Sequence, residues 1–271
     1  MFPGIDGFHW TVAHVVFLCL FFAVAITILI TVVSAACRTV ADFHGRRAFG
    51  RCWKEDFAEL PEADRKCRHE LAGRVISRTC DNQFDCRRCE NYVRFAVLPA
   101  SGFARDLGLD YPEDRFYHRG HTWVRDEHDG TISMGLDALA DHLIGKPDSI
   151  QFPRIGDELD VNQVAWRIKK HGKEILVRAP LEGTVVGFGD GSTLKLHPRL
   201  DVSNPANLRH LLRGPEMHGW ASRELERLQV QLRPSNAQPS LADGGTLVYG
   251  LMDALPNSDW DTVLADTFLE V

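Results

Sequence analysis

Hydrophobic and polar positions change their rhythm several times along the chain. From Thr11 to Cys37 there is no rhythm at all: 27 residues pass without Asp, Glu, Lys or Arg, interrupted only by His14. About 20 apolar residues at a 1.5 Å rise cross a hydrocarbon layer of roughly 30 Å, so the run predicts one membrane-spanning helix. A cleaved signal peptide is the competing reading. It needs a basic leader and an apolar stretch of about 7 to 15 residues, and Met1 to Trp10 contains neither Lys nor Arg. Ser34-Ala35-Ala36-Cys37 has a faint lipoprotein-processing character, behind an apolar run too long for that role.

Beyond the apolar run the pattern turns charged. FAELPEADRKC has helix-like spacing broken by Pro61, which predicts a connector with a short helix. From Phe116 the period falls to two. HTWVR and TISMGL flank Asp129-Gly130, the strongest local signal for a β-hairpin. LDALADHLIG returns to helical spacing, with Leu136, Leu139, Leu143 and Ile144 on one side and Gly145 as the stop. Strands follow in SIQFP, DELD, QVAWRIKK, KEILVRAP and GTVVGF; Gly187, Gly189 and Gly191 then read as a loop. SNPANLRHLLRG and PEMHGWASRELERLQVQL predict helices, the second with Pro215 in its first turn. Asp243-Gly244-Gly245 reads as a turn, and two short amphipathic helices close the chain. Trp166, Trp220 and Trp260 are expected in the core.

Composition adds limits. The 271 residues are 44% hydrophobic, enough for a real core, and 31 basic against 37 acidic residues give a net charge of -6 with no basic, aromatic-studded stripe. Nucleic acid is therefore excluded as a partner. Arg38, Arg46, Arg47, Arg51 and Lys54 follow the apolar run while the short head holds only Asp6. Basic residues beside a span stay inside, so the expectation is a single-pass protein of the inner (cytoplasmic) membrane, N-terminus outside and body in the cytoplasm. His14 is expected to sit at the interface or in helix packing, and Cys19 and Cys37 to be apolar members of the span.

Candidate chemistry concentrates in CRHELAGRVISRTCDNQFDCRRC. Cys67, Cys80, Cys86 and Cys89 have the spacing C-x12-C-x5-C-x2-C. A C-x2-C turn brings two thiolates to one ion at about 2.3 Å, and two distant cysteines complete a tetrahedron. Zinc fits these ligands best, as a closed structural site that leaves no position for water. An iron-sulfur cluster, free thiols and a pair of disulfides are the alternatives, the last disfavoured in a reducing cytoplasm. Lys66, Arg78, Arg87 and Arg88 would offset the thiolate charge. Cys52 is left over as an unpaired buried thiol. His118 and His121 could share a metal, but a structural role fits the His-Thr-Trp context better. No phosphate-binding glycine loop, nucleophile elbow or His-Glu-x-x-His motif is present.

One stretch carries more than pattern. FYHRGHTWVRDEHDGTISMGLDALADHLIG, then IQFPRIGDEL and APLEGTVVGF, resembles the glycine-cleavage H protein, a lipoyl-carrier family. The cysteine block, the LRHLLRG and Trp220 region, and LADGGTLVYGL resemble a bacterial subgroup with a cysteine module in front of that domain. The resemblance implies a mainly β fold with helices: a lipoyl/biotinyl-like flattened β-sandwich (barrel-sandwich hybrid), to which this chain would add a transmembrane helix, a cysteine-rich metal module and C-terminal helices. It also implies where the cargo lysine should stand. Counted back from Ala179-Pro180, that place falls on Gly172, with Lys169 and Lys170 where the family has glutamate and serine. The stretch after Phe188 lacks the Pro-Tyr-Gly-x-Gly-Trp-like element of functional H proteins. Lys173 and Lys170 flank the apex as alternative lipoyl sites. The organisation expected is residues 1–37 (head and span), 38–66 (connector), 67–115 (cysteine module and link), 116–200 (lipoyl-like domain) and 201–271 (helical extension). The expected function is a non-enzymatic, non-lipoylated accessory or docking subunit of a larger membrane assembly. A membrane-tethered lipoyl carrier and an iron-sulfur electron-transfer subunit are the alternatives.

Overall fold

The computed structural model describes residues 11–48, 53–98, 109–232, 242–243 and 246–269, with the backbone alone for 35–48, 242, 243 and 246. Contacts divide the chain into a unit of residues 1–50 and a unit of residues 51–271. In the first, helix α1 (Val12–Ala48) runs past the expected end at Cys37. Its segment Val12–Ser34 has a mean hydropathy of 3.0 with none of it buried, so by length and composition one helix can cross a membrane. Cys19 is exposed on it, and His14 Nδ1 lies 2.7 Å from Thr11 Oγ1. The side chains of Cys37, Arg38, Arg46 and Arg47 lie outside the described residues, as do Asp6, Arg51 and Cys52.

The second unit opens with the short helices α2 (Trp53–Glu59), which stops just before Pro61 as the connector pattern predicts, α3 (Arg68–Leu71) and α4 (Tyr92–Ala96). The strands then follow in quick succession: β1 (Phe116–His118), β2 (Thr122–Asp126), β3 (Ile132–Leu136), and after α5 (Ala138–Ile144), β4 (Ser149–Gln151), β5 (Glu158–Leu159), β6 (Val164–Lys170), β7 (Lys173–Arg178), β8 (Gly183–Phe188) and β9 (Leu194–Pro198). Helix α6 (Pro215–Gln231), the strand pair β10 (Ala242–Asp243) and β11 (Thr246–Leu247), α7 (Leu251–Ala254) and α8 (Trp260–Phe268) complete it.

All pairings are antiparallel, in one sheet ordered β1-β2-β3-β9-β8-β5, a second ordered β4-β6-β7, and the hairpin β10-β11. Val124, Ile132, Met134, Val185, Leu194 and Leu196 of the first sheet meet Trp166, Ile168, Ile175 and Val177 of the second in one buried cluster. The period-2 alternation of the sequence is what sorts these side chains to the inner face. Trp166, Trp220 and Trp260 are all buried, as expected. Helix α5 starts where the pattern places it: the Asp137 carboxylate accepts from Ala140 N–H at 2.9 Å, and Gly145 ends it.

Three local readings need correction. Asp129-Gly130 does close a hairpin, but Glu127 N–H donates to the Thr131 carbonyl at 3.1 Å, so the loop spans 128–130 and both His128 and Gly130 take positive φ. SNPANLRHLLRG is not a helix. Asp201 accepts from Ser203 N–H and Oγ, Asn204 accepts from Ala206 N–H, and Leu212 is drawn into a bridge with Tyr117 of β1. Side-chain caps of this kind compete with helix propagation, and here the sheet edge takes the rest. Gly187 belongs to β8, and only the later glycines lie in the loop.

Helix α6 lies directly on α3. A Cβ built at Gly219 would come within 2.3 Å of the Leu71 carbonyl oxygen, so the backbones meet with no room for a side chain. Around this contact Leu71, Tyr117, Trp123, Leu212, Met217 and Trp220 form a second buried cluster. The cysteine segment is thereby seated on the same body as the sandwich.

Candidate functional site

The resemblance directs attention to the β6-β7 hairpin. Lys170 pairs with Lys173 across it, leaving His171 and Gly172 as a two-residue turn with φ of 50° and 74°. Two consecutive left-handed residues are the geometry of the tightest twisted hairpins, and Gly172 suits the second at no steric cost. A Cβ at Gly172 would meet nothing within 4 Å. The apex is therefore open to solvent but bears no chain that could hold cargo.

The lysines on either side point elsewhere. Lys170 is 4% exposed, and its ammonium donates to the Lys146 carbonyl at 2.8 Å and to Asp253 at the same distance. Lys173 reaches Asp261 of α8. His171 is held twice, its N–H donating to Asp148 at 2.7 Å and Nε2 lying 2.6 Å from Asp253 Oδ1. Hydrogen bonds from Lys170 and His171 hold the Asp253 carboxyl below the usual aspartate range. Three aspartates, two of them from the C-terminal helices, thus fasten the turn.

The glycine cleavage H-protein family matches residues 115–204, the span that holds both sheets and this hairpin. Residues 115–204 are a glycine cleavage H-protein domain. The glycine cleavage system H protein of Pseudoalteromonas translucida is 29% identical over 120 residues, 37% of this chain and 88% of its own length. That of Idiomarina loihiensis is 34% identical over 82 residues, 29% of this chain and 61% of its own length. A solved H protein from Mycobacterium marinum superposes with a TM-score of 0.34 at 19% identity, covering 42% of this chain and 98% of its own. The sequence expectation of an H-protein-like sandwich stands, and Lys170, Lys173 and Gly172 all fall inside the H-protein domain.

Two hairpins of the H-protein domain, β2-β3 and β6-β7, are closed at the base by buried charge. At β2-β3, His121 Nδ1 lies 2.9 Å from Asp137 Oδ2 and the ring packs 4.7 Å from Trp220. Burial opposes a charge on this imidazole, but Asp137 and Glu224 outweigh it and lift its pKa to about 9. At β6-β7, the fully buried Arg178 pairs with Asp56 of α2 and donates to the Leu269 carbonyl at 3.1 Å. His118 does not join His121 in a site. Its Nε2 is 2.7 Å from Asn162 Oδ1 and its Nδ1 accepts from Gly120 N–H, while burial lowers its pKa to about 3. The structural reading of both histidines fits this placement.

The four cysteines come together only in part. An antiparallel bridge between Lys66 and Thr79 puts Cys67 and Cys80 on one face in diagonal positions, opposite Arg78 and Arg65, and Asp85 caps the turn Cys86–Arg88 by accepting from Arg87 N–H at 3.1 Å. Phe84 N–H donates to Cys80 Sγ at 3.4 Å. All four thiols are free and line one cavity of about 20 Å³. Among the described residues, however, no group of three or more His, Cys, Asp or Glu side chains stands close enough to hold a metal ion, so the expected tetrahedron is not assembled. Burial pushes the Cys86 thiol up to about 11 and raises that of Cys80 as well, which fits neutral thiols kept apart. The compensating charges also differ from expectation. Arg78 lines the cavity with Arg68 and Arg119, whereas Arg87 and Arg88 line an adjoining, larger cleft that Arg119 also borders, and Lys66 pairs with Glu70 at 2.9 Å.

Sequence reasoning missed the acids that fasten the apex and the arginine and histidine lining of the cysteine cavity. A signal for the first existed: Lys169, Lys170, His171 and Lys173 make the turn strongly basic, and Asp253 and Asp261 are acids on short helices that carry no basic residue. None existed for Arg119, which reads as an ordinary surface residue.

Proposed function

We propose that the chain is a membrane-tethered accessory subunit whose H-protein domain serves as a docking module and carries no lipoyl group. One observation carries this reading: the hairpin apex is His171-Gly172, and the amines beside it are bound to acids of the C-terminal helices. A swinging carrier needs a long side chain free at the turn; a docking module needs a fixed surface. The α1 segment Val12–Ser34 supplies the tether. The excess of Arg38, Arg46, Arg47, Arg51 and Lys54 over the lone Asp6 supports a cytoplasmic position for residues 51–271 at the inner membrane. Its partners are other subunits of a membrane assembly. The intact mass of the chain purified from membranes of a lipoylating cell tests this. The mass of the unmodified sequence is expected, and an added lipoyl group overturns the reading.

A second reading, a tethered group carrier, is favoured by one feature of Lys173. Its side chain is 36% exposed and its partner Asp261 77% exposed, and exposed ion pairs hold weakly. Lys170, buried, does not share this feature. Replacing Lys170 and Lys173 with alanine separates the two: a carrier loses all turnover by its partner enzyme, and a docking module keeps it.

A further inference from the structure

The cysteine segment and the Arg119 side chain pose a problem of charge. Arg119 is 8% exposed, donates to the Lys66 carbonyl at 2.9 Å and stacks on Phe84. Among the described residues no carboxylate lies within ion-pair distance of it, whereas Arg68 nearby is paired with Glu216 at 2.8 Å. A buried guanidinium with no carboxylate in contact is costly; Glu224 attracts it only from beyond ion-pair distance, and of the carboxylates that share its cavity with the four thiols, Asp81 pairs with Arg78 and Asp85 with Arg87 and Arg88. Neutral thiols do not offset it. Thiolates do, and four thiolates around a divalent ion leave a net charge of minus two in the same space.

His69 contributes a second observation. It is 2% exposed and lines the same cavity. Its Nδ1 lies 3.5 Å from the Arg74 guanidinium, which can only donate, so in the neutral ring the proton sits on Nε2. That Nε2–H is buried with no partner. A thiolate sulfur is the acceptor it lacks. At about 20 Å³ the cavity has the room one water needs, which is enough for a single ion.

From this arrangement we infer that the cavity binds one zinc ion through Cys67, Cys80, Cys86 and Cys89, with Arg119 and His69 as its charge and hydrogen-bond partners. As zinc enters, the four thiols release their protons to solvent and the sulfurs close to about 2.3 Å from the ion. The bound ion would brace the cysteine loop on α6 through α3. His210 lines the cavity too, with Nε2–H donating to the Pro180 carbonyl at 2.7 Å and Nδ1 left with a bare lone pair. It is a rival ligand, which the test has to separate.

Elemental analysis of the full chain, purified in detergent with reductant, is the direct test. One zinc per chain, no colour and no acid-labile sulfide are expected. The four thiols should resist alkylation until a chelator is added and then all react. C86S/C89S should abolish zinc binding and H210A should keep it. Should the double variant fail to fold, the count of thiols released by chelator from the unaltered chain decides alone. Iron with sulfide, failure of the chelator-treated chain to take up added Zn²⁺, thiols that alkylate before chelation, or loss of zinc in H210A would each overturn the assignment.

Discussion

Two hairpins of the H-protein domain, β2-β3 and β6-β7, are built alike at the base and differently at the tip. Each base holds a buried charge pair, His121 with Asp137 and Arg178 with Asp56. The β2-β3 tip is tied mainly by its own loop, Asp126 accepting from His128 N–H and Asp129 from Thr131, with one contact from His197 to the Gly130 carbonyl. The β6-β7 tip takes its partners from Asp148, Asp253 and Asp261, the last two more than 80 positions away in sequence. A loop that satisfies itself can move with its hairpin. One that is fastened from outside becomes part of a surface, and that difference underlies the docking reading.

Three measurements can break or sharpen the contrast. The largest effect is expected from Asp56→Ala, which leaves the Arg178 guanidinium buried beside an empty position. A loss of about 3–5 kcal/mol in denaturant unfolding is expected, against within about 0.5 kcal/mol for Arg125→Ala on the open hairpin, whose pair with Glu127 is partly exposed. Equal losses would remove the distinction at the base. Next in size is the pH response of the His121 pair. Because its folded pKa stands near 9 against 6.5 for the free side chain, its stabilisation is fully present below pH 6.5 and is lost as pH rises through about 9. The arginine pair stays charged over that range, so His121→Gln should flatten the fall in melting temperature between pH 6.5 and 9, and an unchanged slope would refute the assignment. The smallest effect is local. Asp253→Ala should speed amide hydrogen exchange at residues 169–174 and 251–254 and lower the unfolding midpoint less than Asp56→Ala does, because the Asp253 carboxylate is half exposed and Lys170 keeps the Lys146 carbonyl; unchanged exchange there would mean the acids do not fasten the turn.

Much of the sandwich was legible because its code is local. Strand alternation, the Gly145 stop and the Gly172 turn each depend on a few neighbouring residues, and each is found where the pattern places it. SNPANLRHLLRG misled because its leucines have helical spacing, while Asp201 and Asn204 turn the backbone and Tyr117 captures Leu212. The fastening of the apex was hidden for a different reason: sequence shows that Lys170 and Asp253 carry opposite charges, but only the fold makes them neighbours. The cysteine spacing was legible as a ligand set, and the buried Arg119 beside it was not.

Arg178 has a consequence for how the protein is made. Asp56 reaches it from well before the sandwich in sequence, and the Leu269 carbonyl from well after. During vectorial synthesis the sandwich strands leave the ribosome long before Leu269 does, so the guanidinium must wait, still hydrated, for its last acceptor. A nascent chain stalled before that point would hold a nearly complete β-structure around an unsealed cation, the species on which chaperones and proteases act.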